Sequence, residues 1–449
     1  MQGLNITILP DGRKAIIIRT SDRMAFKSCR RKWGWSSHLK ANLGPKNLAA
    51  PLWFGSAIHY ALEDFHGHKL FDSAADAFAA YCISTSHNYK RELPPDAQEH
   101  YTLGRALMHY YENYWLKGYP RKQDETYWCE NPETGVLEPQ VEVNFEIPVP
   151  IEPGSILASH VERLGVDVVL YRGTIDRVVI DEYGHLWVDE YKTAKVAMNT
   201  HFQTDPQVTT YVWACSMIYD RPVAGVIYHQ FVKKMPEPPK RLSSGKLSTA
   251  ANMVCSSLLY RQELVNMYGD VLKAPSQNQH KLHELMGSEN GDRDRYIIRE
   301  RIHRNAEQCY HEAQKILLEL EDMLNPDLPL YPNPTRDCSR MCSFLTACVN
   351  MDDGSDWEAV LAAQYLSRDM DIDRLWRKRL PSPAKMLEYA TKKEDPDLEG
   401  IQVDAAERAD YQQAEIAVGE YELPDWQQNP QPFGGLDEKG SFNMSEVTT

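Results

Sequence analysis

Two short runs carry the residues best suited to chemistry. Gly173-Thr-Ile-Asp176-Arg-Val-Val-Ile180 and His185-Leu-Trp-Val-Asp-Glu190-Tyr-Lys192 flank the turn Asp181-Glu-Tyr-Gly184. Both runs alternate in polarity and favour β-branched and aromatic residues, which is a strand signature. With Glu182, Tyr183 and Gly184 as a three-residue loop, Gly184 takes the left-handed position. Asp181 then faces His185 and, counting back along both strands, Asp176 faces Glu190. Cross-strand partners share a sheet face, and Lys192, two residues on, points the same way. Two carboxylates this close repel unless something positive sits between them. A divalent cation and the Lys192 ammonium would do so. Hard oxygen ligands suit Mg²⁺ or Mn²⁺. Such an ion lowers the pKa of a bound water and neutralises charge on a phosphoryl oxygen, while a nearby lysine orients the water or stabilises developing charge. This is the chemistry of phosphodiester hydrolysis. The other reading of the same three residues is a surface ion-pair network on an amphipathic hairpin.

Further candidates lie elsewhere. Gly55-Ser-Ala-Ile-His59 sits in a helical pattern, where a lone His is either a core residue or a ligand. Glu63, one turn on, is a partner for His59 or a solvated charge. Gln207 and Tyr211 are four apart and share a helix face. Of nine cysteines, Cys338, Cys342 and Cys348 cluster, and Cys29 lies in the first helix. An odd count with no export signal argues against a disulfide framework. Four sulfurs suit zinc or an iron–sulfur cluster, and ligand type alone leaves both open. Lys27, Arg30, Arg31 and Lys32 beside Trp33 and Trp35 suit single-stranded nucleic acid, as does the Arg293–Arg304 stretch; each reads equally as a solvated face.

In these residues the sequence resembles the PD-(D/E)XK nuclease superfamily, whose motif is an acid, a hairpin, then Asp or Glu, any residue, and Lys. Ile175 stands where a Pro often precedes the first acid. The Gly-x-x-x-His and Gln-x-x-x-Tyr elements are similar to those of the RecB-like branch. The resemblance implies His59, Asp176 and Glu190 as metal ligands, Lys192 as the residue that positions or activates water, and Gln207 and Tyr211 as contacts to the bound strand. It extends to AddB-type and CRISPR-associated RecB-like exonucleases, of the kind encoded by bacteriophages. These hold a [4Fe–4S] cluster on one Cys before the core and three after it. Cys29 with Cys338, Cys342 and Cys348 reproduces that split, although the first pair is more usually Cys-x-x-Cys. The implied fold is α/β, a restriction-endonuclease-like core with a mixed central sheet flanked by helices, the cluster joining N- and C-terminal parts. The implied activity is a Mg²⁺- or Mn²⁺-dependent deoxyribonuclease, an exonuclease at single-stranded DNA ends in recombination, repair or phage DNA processing. No P-loop is present, so a helicase or recombinase would come from another chain. The alternatives are a catalytically silent DNA-binding scaffold on the same fold and a structure-specific endonuclease.

The elements that must position these residues follow from pattern. Helices are expected at Thr20 or Ser21 onward, over 52–65, 73–89, 95–116, 205–219, 249–268 and 296–324, and strands over 141–149, 173–180, 185–191 and 223–231. The segments are 1–20 N-terminal, 21–135 helical with Cys29 and His59, 136–235 nuclease core, 236–350 helical with the cysteine cluster, 351–392 a helical extension, and 393–449 an acidic tail expected to be disordered. The chain has 449 residues and 42% hydrophobic content, enough for a sizeable core. Its net charge is −15, but from Thr391 onward there are 14 Asp and Glu against 4 Lys and Arg. A near-neutral body therefore leaves nucleic acid open as a partner. No apolar run approaches the roughly 18 residues that span a bilayer. The expectation is a soluble protein of the cytoplasm of a bacterium or phage-infected host.

Overall fold

The computed structural model describes residues 4–46, 49–88, 93–118, 124–131, 134–197, 201–289 and 294–367. The acidic tail, most of the expected 351–392 extension, and Arg293 lie outside the described residues.

The strands that matter here are β1 (Lys14–Arg19), β2 (Leu43–Pro45), β3 (Val141–Pro148), β4 (Val168–Ile180), β5 (Leu186–Ala194), β6 (Val223–Val232), β7 (Ile297–His303) and β8 (Tyr365–Ser367). All but β2 and β8 belong to one mixed sheet. Its hub is β4. The first residues of β4 pair with β1 in parallel, Ala15↔Val168 to Arg19↔Arg172. Its last residues pair with β5 antiparallel, Arg177↔Asp189 to Ile180↔Leu186. Residues 173–176, between these stretches, pair with neither. Strand β3 runs antiparallel to β4, β5 and β6 are parallel, and β6 and β7 are antiparallel.

Helices cover both faces. On one face lie α1 (Thr20–Ser28), α2 (Arg30–Ser36), and, further along the chain, a helix over Pro206–Tyr219 and one over Ala306–Leu324. Their core includes Phe26, Val178, Val188, Val212, Tyr228 and Leu320. On the other lie α3 (Ala50–Glu63), α4 (Ala74–Asn88) and α5 (Ala97–Tyr110), packed on Tyr191, Phe231 and Ile297. We name the later helices α6 (Ile156–Leu164), α7 (Pro206–Tyr219), α8 (Ser257–Tyr268), α9 (Ser276–Ser288), α10 (Ala306–Leu324), α11 (Leu345–Asp353) and α12 (Trp357–Gln364). The parallel β5–α7–β6 connection is what brings α7 over the end of the hairpin. Both α3 and α5 end in a π-helical turn, Asp64–His68 and Tyr111–Trp115.

The structure departs from the sequence reading in several places. The 1–20 segment contains β1, whose Ala15, Ile16, Ile17 and Ile18 are all buried in the sheet. The stretch read as one helix over 296–324 is β7 followed by α10. Arg299, Glu300 and Arg301 are good helix formers, and their charges hid an outer strand of the kind that carries charged side chains. The helix read from Thr249 starts at Ser257, because the Ser256 side chain accepts the Leu259 N–H and caps it there. Cys29 is not inside the first helix. It is extended, at the break between α1 and α2, and caps α2. Helices α6 and α9 were not foreseen.

Candidate metal-binding active site

The hairpin folds in the expected register. The β4–β5 pairs match, Asp181 N–H bonds to the His185 carbonyl, and Gly184 has φ +83°. Asp176 and Glu190 stand one residue beyond the last pair, where the two strands part. Upstream on β4, Gly173 lets β3 and α1 pack closely, since a Cβ there would clash with the Phe145 ring and lie 3.0 Å from Thr20 Oγ1.

Side chains fill the fork in place of a strand ladder. The Tyr191 N–H donates to Asp176 Oδ2 at 2.7 Å, and the Tyr191 carbonyl accepts from His59 Nε2 at 3.0 Å. His59 Nδ1 then faces inward, 3.2 Å from Asp176 Oδ1 and 3.5 Å from Glu142 Oε1. Donor atoms of His59, Glu142 and Asp176 all lie within 4.8 Å of one another. Burial alone would make His59 less basic, but the two carboxylates overcome this and push its pKa up to about 10. Burial would raise Asp176, yet His59, Lys192 and the Tyr191 N–H hold it below the usual carboxylate range.

Glu190 and Lys192 form the other half of the site. The Lys192 ammonium donates to Glu190 Oε1, and Tyr211 is close enough for its hydroxyl to feel both charges. Glu190 Oε2 is buried and finds no hydrogen-bond partner among the described residues. Burial and the Asp176 charge push the Glu190 carboxyl upward, while Lys192 opposes them. Burial works against the Lys192 charge, but Glu190 and Asp176 hold its pKa up. One imidazole nitrogen, two converging carboxylates and an orphan carboxylate oxygen are a donor set that fits a hard divalent cation.

Glu142 was missed in the sequence. In an alternating strand it falls on the face away from Val141 and Val143. Its φ of +48° turns the chain so that Val141 and Glu142 are both buried. The register offers one clue. Val141 pairs with Arg177 and Val143 with Ile175, so Glu142 stands opposite Asp176.

A model of the PD-(D/E)XK nuclease superfamily matches residues 21–349. The chain belongs to this superfamily. Metal-dependent nuclease chemistry comes with that membership, and the mixed α/β sheet flanked by helices agrees with it. No curated protein matches the chain.

In this member of the superfamily, Asp205 caps α7 and Gln207 Nε2 donates to the Tyr211 hydroxyl at 2.8 Å, the pair lying over the Glu190–Lys192 side of the fork. Glu63 instead lies 3.6 Å from His68 Nε2. The cysteines lie apart from the fork, in a module built around α2. Cys29 Sγ accepts the Lys32 and Asn333 N–H groups at 3.5 and 3.4 Å, Cys338 Sγ accepts the Thr335 N–H at 3.4 Å, and Cys348 Sγ accepts from Arg31 at 3.3 Å. Cys342 and Cys348 pack beside Trp35 and Phe344. All four are free thiols. Three of the four flanking basic residues are engaged internally: Lys27 with Glu319, Arg30 with Asp322, Arg31 with Asp352. Trp33 and Trp35 are buried, so neither offers a stacking platform. Arg299 and Arg301 both pair with Asp124, and Arg304 is buried on the carbonyls of Phe202 and Gln203. Among the described residues, no helix is long and apolar enough to cross a membrane.

Proposed function

We propose that this protein is a Mg²⁺- or Mn²⁺-dependent deoxyribonuclease, an exonuclease acting at single-stranded DNA ends, of the RecB-like, AddB-related kind found in phages and bacteria. Its work would lie in recombination, repair or phage DNA processing in the cytoplasm, with unwinding or strand exchange supplied by another chain. The observation that carries the reading is the fork itself: three donor groups converge, and beside them stand a buried carboxylate oxygen and a half-buried ammonium.

His59, Glu142, Asp176 and Glu190 would hold the cation. When bound, it supplies Lewis acidity to a phosphoryl oxygen and a water of lowered pKa. Lys192 stands over Glu190, where its Nζ can orient an attacking water and meet negative charge developing on the phosphate. Gln207 and Tyr211, joined to each other, would hold the strand from the α7 side. The four cysteines share the module around α2, and we assign them to a [4Fe–4S] cluster, with zinc as the alternative metal.

Linear and circular single-stranded DNA with Mn²⁺, given to protein purified without oxygen, test the reading. Loss of the linear substrate alone, at least about 10²-fold slower in Lys192→Ala with its melting temperature kept, is the expected result. Cutting of the circle would make it an endonuclease. No cutting of either would leave a DNA-binding scaffold.

A further inference from the structure

Strands β5 and β6 are parallel and leave the sheet at the same end. The register sets Gln230 beside Lys192 and Val232 beside Ala194, and the Lys233 N–H then donates to the Ala194 carbonyl at 2.8 Å. At about 3.3 Å per residue, the Cα of Lys195 lies within about 10 Å of that of Lys192. Residues 192–197 hold two lysines and 230–236 hold two more, with no acid in either stretch. The connection out of β5 leads into α7, whose first turn carries Gln207. In an open α/β sheet, the crevice beyond the carboxyl ends of the strands is where ligands bind.

Lys195 and Lys234 are exposed, and Lys233 is half-buried. None of the three makes an ion pair among the described residues. By contrast, Arg30, Arg31, Arg299 and Arg301 are all tied to internal carboxylates. Lys233 is held against α3, its Nζ 4.9 Å from the Phe54 ring centroid. Phe54 packs edge-on against Phe78 and His100, so the ammonium stands on a fixed platform. Burial makes Lys233 less basic, and the charge of Asp96 opposes this. Asp96 itself lies 3.3 Å from His100. A cation kept partly out of water costs free energy unless an anion meets it. We propose that Lys195, Lys233 and Lys234 form a phosphate-binding rim, which holds the backbone of a single DNA strand beside the fork while the metal site takes the nucleotide to be cut. Contacts of this kind position a strand without reading its sequence. The inference rests on the nuclease reading above and adds where the strand runs.

Fluorescence anisotropy of a labelled thymidine oligonucleotide over a salt series, without divalent metal so that nothing is cut, tests this. On single strands each phosphate contact contributes about 0.7 to the slope of log affinity against log salt. Lys195→Gln, Lys233→Gln and Lys234→Gln combined should flatten that slope by about 2 and weaken binding at least about 10-fold at near-physiological salt. Lys14, Lys117 and Lys273 are exposed on other elements, and changing them to Gln removes equal charge. That control should keep the slope within about 0.5 of wild type. The double variant Lys195→Gln, Lys234→Gln, expected to flatten the slope by about 1.4, decides the matter if the triple variant does not fold. Wild-type slope and affinity in a folded rim variant, or an equal loss in the control, would overturn the inference and leave the nuclease reading intact. A wild type that bound no single-stranded DNA would also overturn it, and one that cut none either would sink the nuclease reading beneath it.

Discussion

Glu142 is the residue where function and backbone conformation conflict. It is not glycine, yet it sits at φ +48°, a region that costs an L-residue about 1–2 kcal/mol. What it gains is a carboxylate aimed at His59 beside Asp176. Two substitutions separate these roles. Glu142→Gln and Glu142→Gly should both lose most Mn²⁺-dependent cleavage. The glycine variant, freed of the left-handed penalty, should be the more stable of the two by about 1 kcal/mol in urea unfolding. Equal stability would show that the backbone there carries no strain. At this scale the sequence was informative where chemistry is written in a motif. Asp176, Glu190 and Lys192 lie together because their register follows from a turn that one glycine defines. Glu142 was hidden because nothing in an alternating strand announces a positive φ at a non-glycine residue.

At the scale of elements, the join between α5, α8 and β7 holds a buried carboxyl away from the fork. Asp294 Oδ1 accepts the Tyr296 and Ile297 N–H groups at 2.7 Å each, and Tyr110 donates to Oδ2 at 2.5 Å. Burial outweighs these bonds and pushes its pKa up to about 7. An acid whose folded pKa lies above its unfolded value, near 3.8, supports the fold fully below that value. That support is lost as pH rises through about 7. Asp294→Asn should therefore flatten the fall in melting temperature between about pH 5 and 8, which a pH series of thermal melts reads directly. Regular elements with a clear period, such as α3, α7 and the hairpin, were legible from sequence. Strand β1 was visible only as an apolar run, because its partner lies some 150 residues on, and a parallel pairing leaves no local turn to read. Strand β7 was misread because its charges face Asp124, a residue no local pattern links to it.

At the scale of the whole molecule, the first and last described parts are stitched together. Strand β8 pairs with β2, Tyr365↔Pro45 to Ser367↔Leu43, and the Tyr365 ring stacks on Phe344 at 4.7 Å. Trp35 lies against both Phe344 and Trp357. The cysteines sit inside this stitch. Cys342→Ala should lose bound iron and lower the melting temperature by several degrees together, as removal of a ligand that closes a long loop would. Iron retained at wild-type stoichiometry would take Cys342 out of the ligand set, and zinc in place of iron would change the assigned metal.

The same stitch sets a timetable for synthesis. A chain leaves the ribosome N-terminus first, at about 5–20 residues per second. Helix α2 and β2 come early in the described fold, yet their partners at 331–348 and 365–367 emerge after the entire nuclease sheet. Until then Trp33 and Trp35, both buried in the finished protein, lack part of their cover. The fork can close once β7 is made, but α2 and β2 must wait for the end of the described fold.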